Sequence, residues 1–166
     1  MAPANNVTYS LKPLKVADSD YETAREAIAD TPPGATILAP ESVAVWVPTF
    51  VNRRPLVSVR ELYDEEMGIH MVAAEAKERR ELRELVSGRE FSPQDRERLL
   101  DSLARYSVGL IVVSASAPDD LVAALSSHGY SHLRNAQGYA LFRATPAESP
   151  PRAQLHYSRC ICKFNT

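Results

Sequence analysis

Cysteine, long apolar runs and an excess of either charge are scarce in this sequence, and each scarcity closes a class of explanation. The only two cysteines, Cys160 and Cys162, stand either side of Ile161 in a polar tail. That spacing would strain a disulfide between them, and a metal site there would need more ligands than the nearby His156 supplies. The thiols therefore read as incidental. The longest apolar stretch, Val43 to Val51, is interrupted by Pro48 and Thr49 and falls far short of the ~20 residues that cross a bilayer. Met1-Ala-Pro-Ala-Asn-Asn has no basic start followed by an apolar stretch, so no secretory signal is expected. A formal net charge of -2 argues against nucleic acid as a partner, because such surfaces carry a basic excess on one face.

Catalytic signatures are missing too. There is no GxxxxGK[ST] phosphate loop, no GxGxxG, no HExxH and no GxSxG elbow, which removes the common sequence-legible routes to nucleotide, zinc-protease and serine-hydrolase chemistry. His70, His128 and His132 show no metal-ligand spacing. Neither a metal nor a cofactor is expected, and no residue is singled out as catalytic.

What is present suits a globular α/β domain. An apolar fraction of 45% and a charged fraction of 24% are ordinary for a folded chain, and 166 residues suit one core. Asp18-Ser19-Asp20 precede Tyr21, Ala24, Ala27 and Ile28, which predicts a capped helix ending before Pro32-Pro33-Gly34. Ala35 to Ala39 and Leu56 to Val59 read as buried strands, and Val108 to Val113 is the strongest strand signal. Between the first two, Glu41 to Trp46 reads as a short helix that Pro48 closes. A charged helix follows from Glu65 to a stop at Ser87-Gly88, its run from Glu75 to Glu84 reading as a solvated face. Ser92-Pro93 opens the next helix and Ser116-Ala117-Pro118 another, which ends at His128-Gly129. Tyr130 to Leu133 and Tyr139 to Phe142 form a hairpin across Asn135-Ala136-Gln137-Gly138. The expected architecture is a three-layer α/β fold, with a mostly parallel sheet, helices on both faces and the hairpin at one edge. Residues 1–17 read as an extension, 18–144 as the domain and 145–166 as a disordered tail.

Parallel sheets gather ligands beyond the carboxyl ends of their strands. That rule selects Glu41, Arg60, Tyr63 and Asp64, with Ser114 and Ser116 behind the later strand. Glu41 and Asp64 form an acid/base pair if their carboxyls converge, and otherwise serve as helix-start acids. Trp46 with Phe50 can stack on a sugar ring or fill the core. Asn52-Arg53-Arg54 is either a phosphate contact or a solvated loop.

The segments Leu11 to Val16, Asp20-Tyr21, Gly34 to Glu41, Trp46-Val47-Pro48, Arg60 to Asp64, Tyr106 to Val113 and Gly138 to Arg143 carry a resemblance. Together they resemble the soluble carboxyl-terminal domain of bacterial multi-spanning, glycosyltransferase-like membrane proteins. The resemblance implies a non-catalytic accessory domain on the extracytoplasmic face of a bacterial membrane. Its partners would be the membrane-embedded segment of the same parent protein and a glycan or lipid-linked sugar held near Glu41, Trp46, Arg60, Tyr63 and Asp64. The acidic catalytic residues of such proteins lie in loops between spans, so none is carried over. The alternative is a free-standing soluble α/β enzyme or small-molecule-binding protein, which would be cytoplasmic.

Overall fold

The computed structural model describes residues 17–51, 56–58 and 73–145. The predicted extension and tail, Arg60, Tyr63, Asp64, the Asn52-Arg53-Arg54 loop and the first part of the charged helix lie outside those residues.

Chain order follows the hydrophobic pattern. Helix α1 (Asp18–Asp30) leads to β1 (Thr36–Leu38), then α2 (Glu41–Ala44) and a 3-10 turn (Val47–Thr49). Helices α3 (Ala73–Val86) and α4 (Pro93–Ser102) and a second 3-10 turn (Leu103–Tyr106) precede β2 (Val108–Ser114). Helix α5 (Asp119–Ser127) then feeds β3 (Tyr130–Ala136) and β4 (Tyr139–Ala144).

The helix ends have local causes. Ser92 caps α4 by accepting from the Asp95 amide at 3.1 Å, with Pro93 in the first turn. At the end of α3 the Arg89 amide returns to the Glu84 carbonyl and the Gly88 amide to Leu85, a Schellman closure that needs the positive φ of 99° at Gly88. Two expectations are corrected. The cap position of α1 is Ala17, without a side-chain bond, and Asp18 and Asp20 fall in the first turn. Pro48 does not close the second helical segment but sits inside the 3-10 turn, where its fixed φ is compatible and its missing amide costs nothing.

The sheet has four strands in the order β1-β2-β4-β3. Strands β1 and β2 pair parallel, while β4 pairs antiparallel with both β2 and β3. The expected mostly parallel sheet is therefore a mixed one. Gln137 and Gly138 both adopt positive φ, 45° and 90°, and so make the two-residue primed turn that folds β4 straight back beside β3. Because β2 and β3 are each antiparallel to β4, they run the same way, and β4 occupies the slot between them. On the other side of β1, Leu56 makes a single parallel bridge to Ile37; the expected strand reaches no further within the described residues.

Alternation along β2 divides the core. Leu110 and Val112 join Ala24 and Ala27 of α1, Val43 of α2 and Leu141 of β4. Ile111 and Val113 join Leu82 of α3, Leu99 of α4, Leu121 of α5 and Phe142 of β4. Full burial of each such aliphatic side chain is worth roughly 1.5–3 kcal/mol. Register slips between Thr36 and Ile37, which step from Val108 to Leu110 on β2. Gly109 is the extra residue, and the slip moves Val108 onto the Ile111 and Val113 side.

Candidate functional site

Carboxyl ends of β1 and β2 open on the same edge of the sheet, and α1 begins there. Pro40 starts α2 immediately after β1, placing Glu41 and Ser42 in its first turn. Glu41 makes no capping bond. Its half-exposed carboxylate instead stands 3.7 Å from the guanidinium of Arg83, a side chain only 5% exposed. Arg83 in turn donates to Ser58 Oγ at 3.2 Å. A guanidinium this deep requires nearby acceptors, so Glu41 serves as a partner for Arg83 and is drawn toward α3. Beside it, Arg79 donates to the Val57 carbonyl at 3.0 Å and to Glu75 at 2.8 Å. The stretch from Glu75 to Glu84 is thus not wholly a solvated face: Arg83 is buried and Arg79 pins the chain next to β1.

Trp46 is half-buried against the α1 and α2 cluster. Tyr21 meets it edge-on with centroids 5.8 Å apart and lies 4.8 Å from the Phe50 ring. Tyr21 keeps 38% of its surface exposed, so this trio combines a packed base with a wet aromatic rim. Edge-on contact of this kind favours such rings beyond their area burial. Phe50 was paired with Trp46 by sequence proximity. In the sequence Tyr21 belongs to the apolar face of the first helix and to the Asp20-Tyr21 segment of the resemblance.

A short hydroxyl chain borders the trio. Tyr139 Oη donates to Asp20 at 2.7 Å and lies 3.0 Å from Ser42 Oγ. Because the single phenol proton goes to Asp20, Ser42 is the donor in the second bond. Burial raises the Tyr139 pKa; the bond from Ser42 opposes that shift and Asp20 reinforces it. Asp20 and Tyr21 are successive residues of α1, so the polar chain and the aromatic rim share one helix start.

Ser114 and Ser116 reach the same edge from β2. Their hydroxyls are 2.9 Å apart, and Ser116 Oγ donates to the Ser87 carbonyl at 3.3 Å. Among the described residues no histidine or carboxylate bonds either hydroxyl, so this pair lacks the base that would make a nucleophile. A pocket of about 180 Å³ lies between the starts of α4 and α5, floored by Leu85, Phe91 and Leu121. It is smaller than the roughly 300 Å³ of an ordinary small-molecule site. Its arginines are already engaged, Arg89 by Glu84 and Arg96 by Asp120.

No family model, curated protein or solved structure matches the chain. Glu41 and Trp46 lie on the connection that leaves β1, as the sequence implied, while Arg60, Tyr63 and Asp64 fall outside the described residues. Asp20, Ser42, Tyr139 and Arg83 complete the neighbourhood, and residue spacing did not reveal them. For Tyr139 the only available signal was its place at the start of the last predicted strand.

Proposed function

We propose that this chain is a non-catalytic accessory domain of a membrane glycosyltransferase-like protein, facing the extracytoplasmic side and holding a glycan or the sugar of a lipid-linked acceptor. The single observation that carries this reading is the aromatic trio of Tyr21, Trp46 and Phe50, half-buried but exposed at Tyr21, beside the chain of Asp20, Tyr139 and Ser42. Sugar rings present axial C–H groups to aromatic faces and hydroxyls to flanking donors and acceptors, and this edge offers both. Arg60, Tyr63 and Asp64 belong to the same proposed site on the sequence argument. No described helix is long and apolar enough to cross a membrane, so in this reading the membrane contact is made by other parts of the parent. The proposed fold is three-layered, on the strength of the two core clusters either side of β2.

Binding at so open an edge is weak, near millimolar, or about -4 kcal/mol. Trp46 is the only tryptophan, so its fluorescence reports the site directly. Short glycans and polyprenyl phosphates titrated to millimolar concentration should change that emission, and Tyr21→Ala or Phe50→Ala should reduce the response without unfolding the chain. An emission indifferent to every glycan, or a response untouched by both substitutions, would rule this site out.

A further inference from the structure

At the opposite edge of the sheet, α4 and the end of α5 bring three metal-ligating side chains together. Glu97 and Asp101 are four residues apart in α4 and so share one helix face. His128 caps α5 and points its Nε2 at both carboxylates, 3.3 Å from Glu97 and 3.4 Å from Asp101. All three donor atoms lie within 4.8 Å of one another.

Orientation of the imidazole supplies a second observation. Its Nδ1 lies 2.8 Å from the Ala124 carbonyl, which only accepts, so Nδ1 carries the proton. Among the described residues, Nε2 then has only carboxylate oxygens in front of it. A lone pair facing two anions is repelled, so a proton or a metal cation must stand between them. One proton can be shared between two acceptors only as a three-centre bond, bent toward each. A divalent ion can satisfy all three donors, and two carboxylates cancel its charge. Bonds of ~2.1 Å to nitrogen and oxygen put neighbouring ligand atoms roughly 3.0–3.4 Å apart, close to both separations found here. A histidine whose other nitrogen donates to a backbone carbonyl is also the usual way in which a metal-binding imidazole is held. Glu97 and Asp101 have no other ion-pair partner among the described residues.

We propose that Glu97, Asp101 and His128 form a divalent transition-metal site that clamps α4 to the end of α5. One nitrogen and two oxygens suit zinc or manganese, and the exposed carboxylates leave the remaining coordination positions to water. The separation of 27 positions between Asp101 and His128 hides the site from any search by ligand spacing.

The test uses the full chain carrying C160S and C162S, so that tail thiols do not capture metal. Paramagnetic Mn2+ should broaden amide signals at residues 97–101 and 124–129 first. H128Q should weaken that binding by about 10- to 100-fold, and the E97Q/D101N pair should do the same. Zn2+ should raise the melting temperature of the parent but of neither variant. If H128Q folds poorly, the E97Q/D101N pair decides the question alone. Broadening centred elsewhere, affinity unchanged in a folded variant, or no broadening at millimolar Mn2+ would overturn the site.

Discussion

Tyr130 donates its hydroxyl to the Val108 carbonyl at 2.9 Å inside the core, and burial pushes its phenol up to about 12. Tyr106 is pushed to about 12 by burial and then by its bond to Glu78. Both shifts favour the protonated phenol in the folded state. In the unfolded chain these groups ionise near the ordinary value of 10, so above it the unfolded state has released protons that the folded state keeps. Stability from this source is complete below pH 10 and is lost as pH rises through the folded value of about 12. Melting temperature followed up an alkaline series should fall, and Tyr130→Phe should fall less steeply while costing about 1 kcal/mol at neutral pH through its lost bond. Equal slopes in parent and variant would contradict the assignment. Single residues were the least legible part of this chain. Arg83 looked like one charge among many, because its burial depends on Ser58 and Glu41, segments that sequence does not place beside α3.

At the scale of elements, the β1–β2 pairing turns on one glycine. A Cβ built on Gly109 would come within 2.4 Å of the Ala35 Cβ and 3.3 Å of Pro32, both on the turn that leads into β1. Gly109→Ala should therefore destabilise the domain by about 1–3 kcal/mol, the usual cost of overpacking. Adding Ala35→Gly removes the nearest obstacle and should restore part of that loss, which denaturant melts of the single and double variants would measure. A fully additive double variant would mean that the two sites do not touch. The run Val108 to Val113 was readable as a buried strand because its side chains are almost all apolar, and all six of its residues are indeed buried. The slip at Gly109 was not readable, since it arises from fitting β2 against β1. The span Asn135 to Gly138 marked the hairpin, but β3 continues through Asn135 and Ala136 and only Gln137-Gly138 turn; nor does a turn say which strand the returning β4 will join.

For the whole molecule, both core clusters meet on β2, so a charge placed there acts on the entire fold. Ile111 is fully buried among residues of α3, α4 and α5. Ile111→Asp should abolish cooperative melting, because an unpaired buried carboxylate costs several kcal/mol against a total stability of about 5–15 kcal/mol. Cooperative unfolding near the parent temperature would show that the core is organised differently. Sequence by itself determined most of the described elements, the Leu56 to Val59 strand excepted, their apolar faces, the capping of α4 by Ser92 and the placing of Glu41 and Trp46 just beyond β1. These follow from periodicity, capping and turn chemistry, which act over a few residues of chain. Only the tertiary structure decided that β4 enters between β2 and β3, that Tyr139 reaches Asp20 and Ser42, and that His128 meets Glu97 and Asp101. Apart from the β3–β4 hairpin, those contacts join residues from 25 to 119 positions apart, and no local preference selects one distant partner over another; packing of the completed core does.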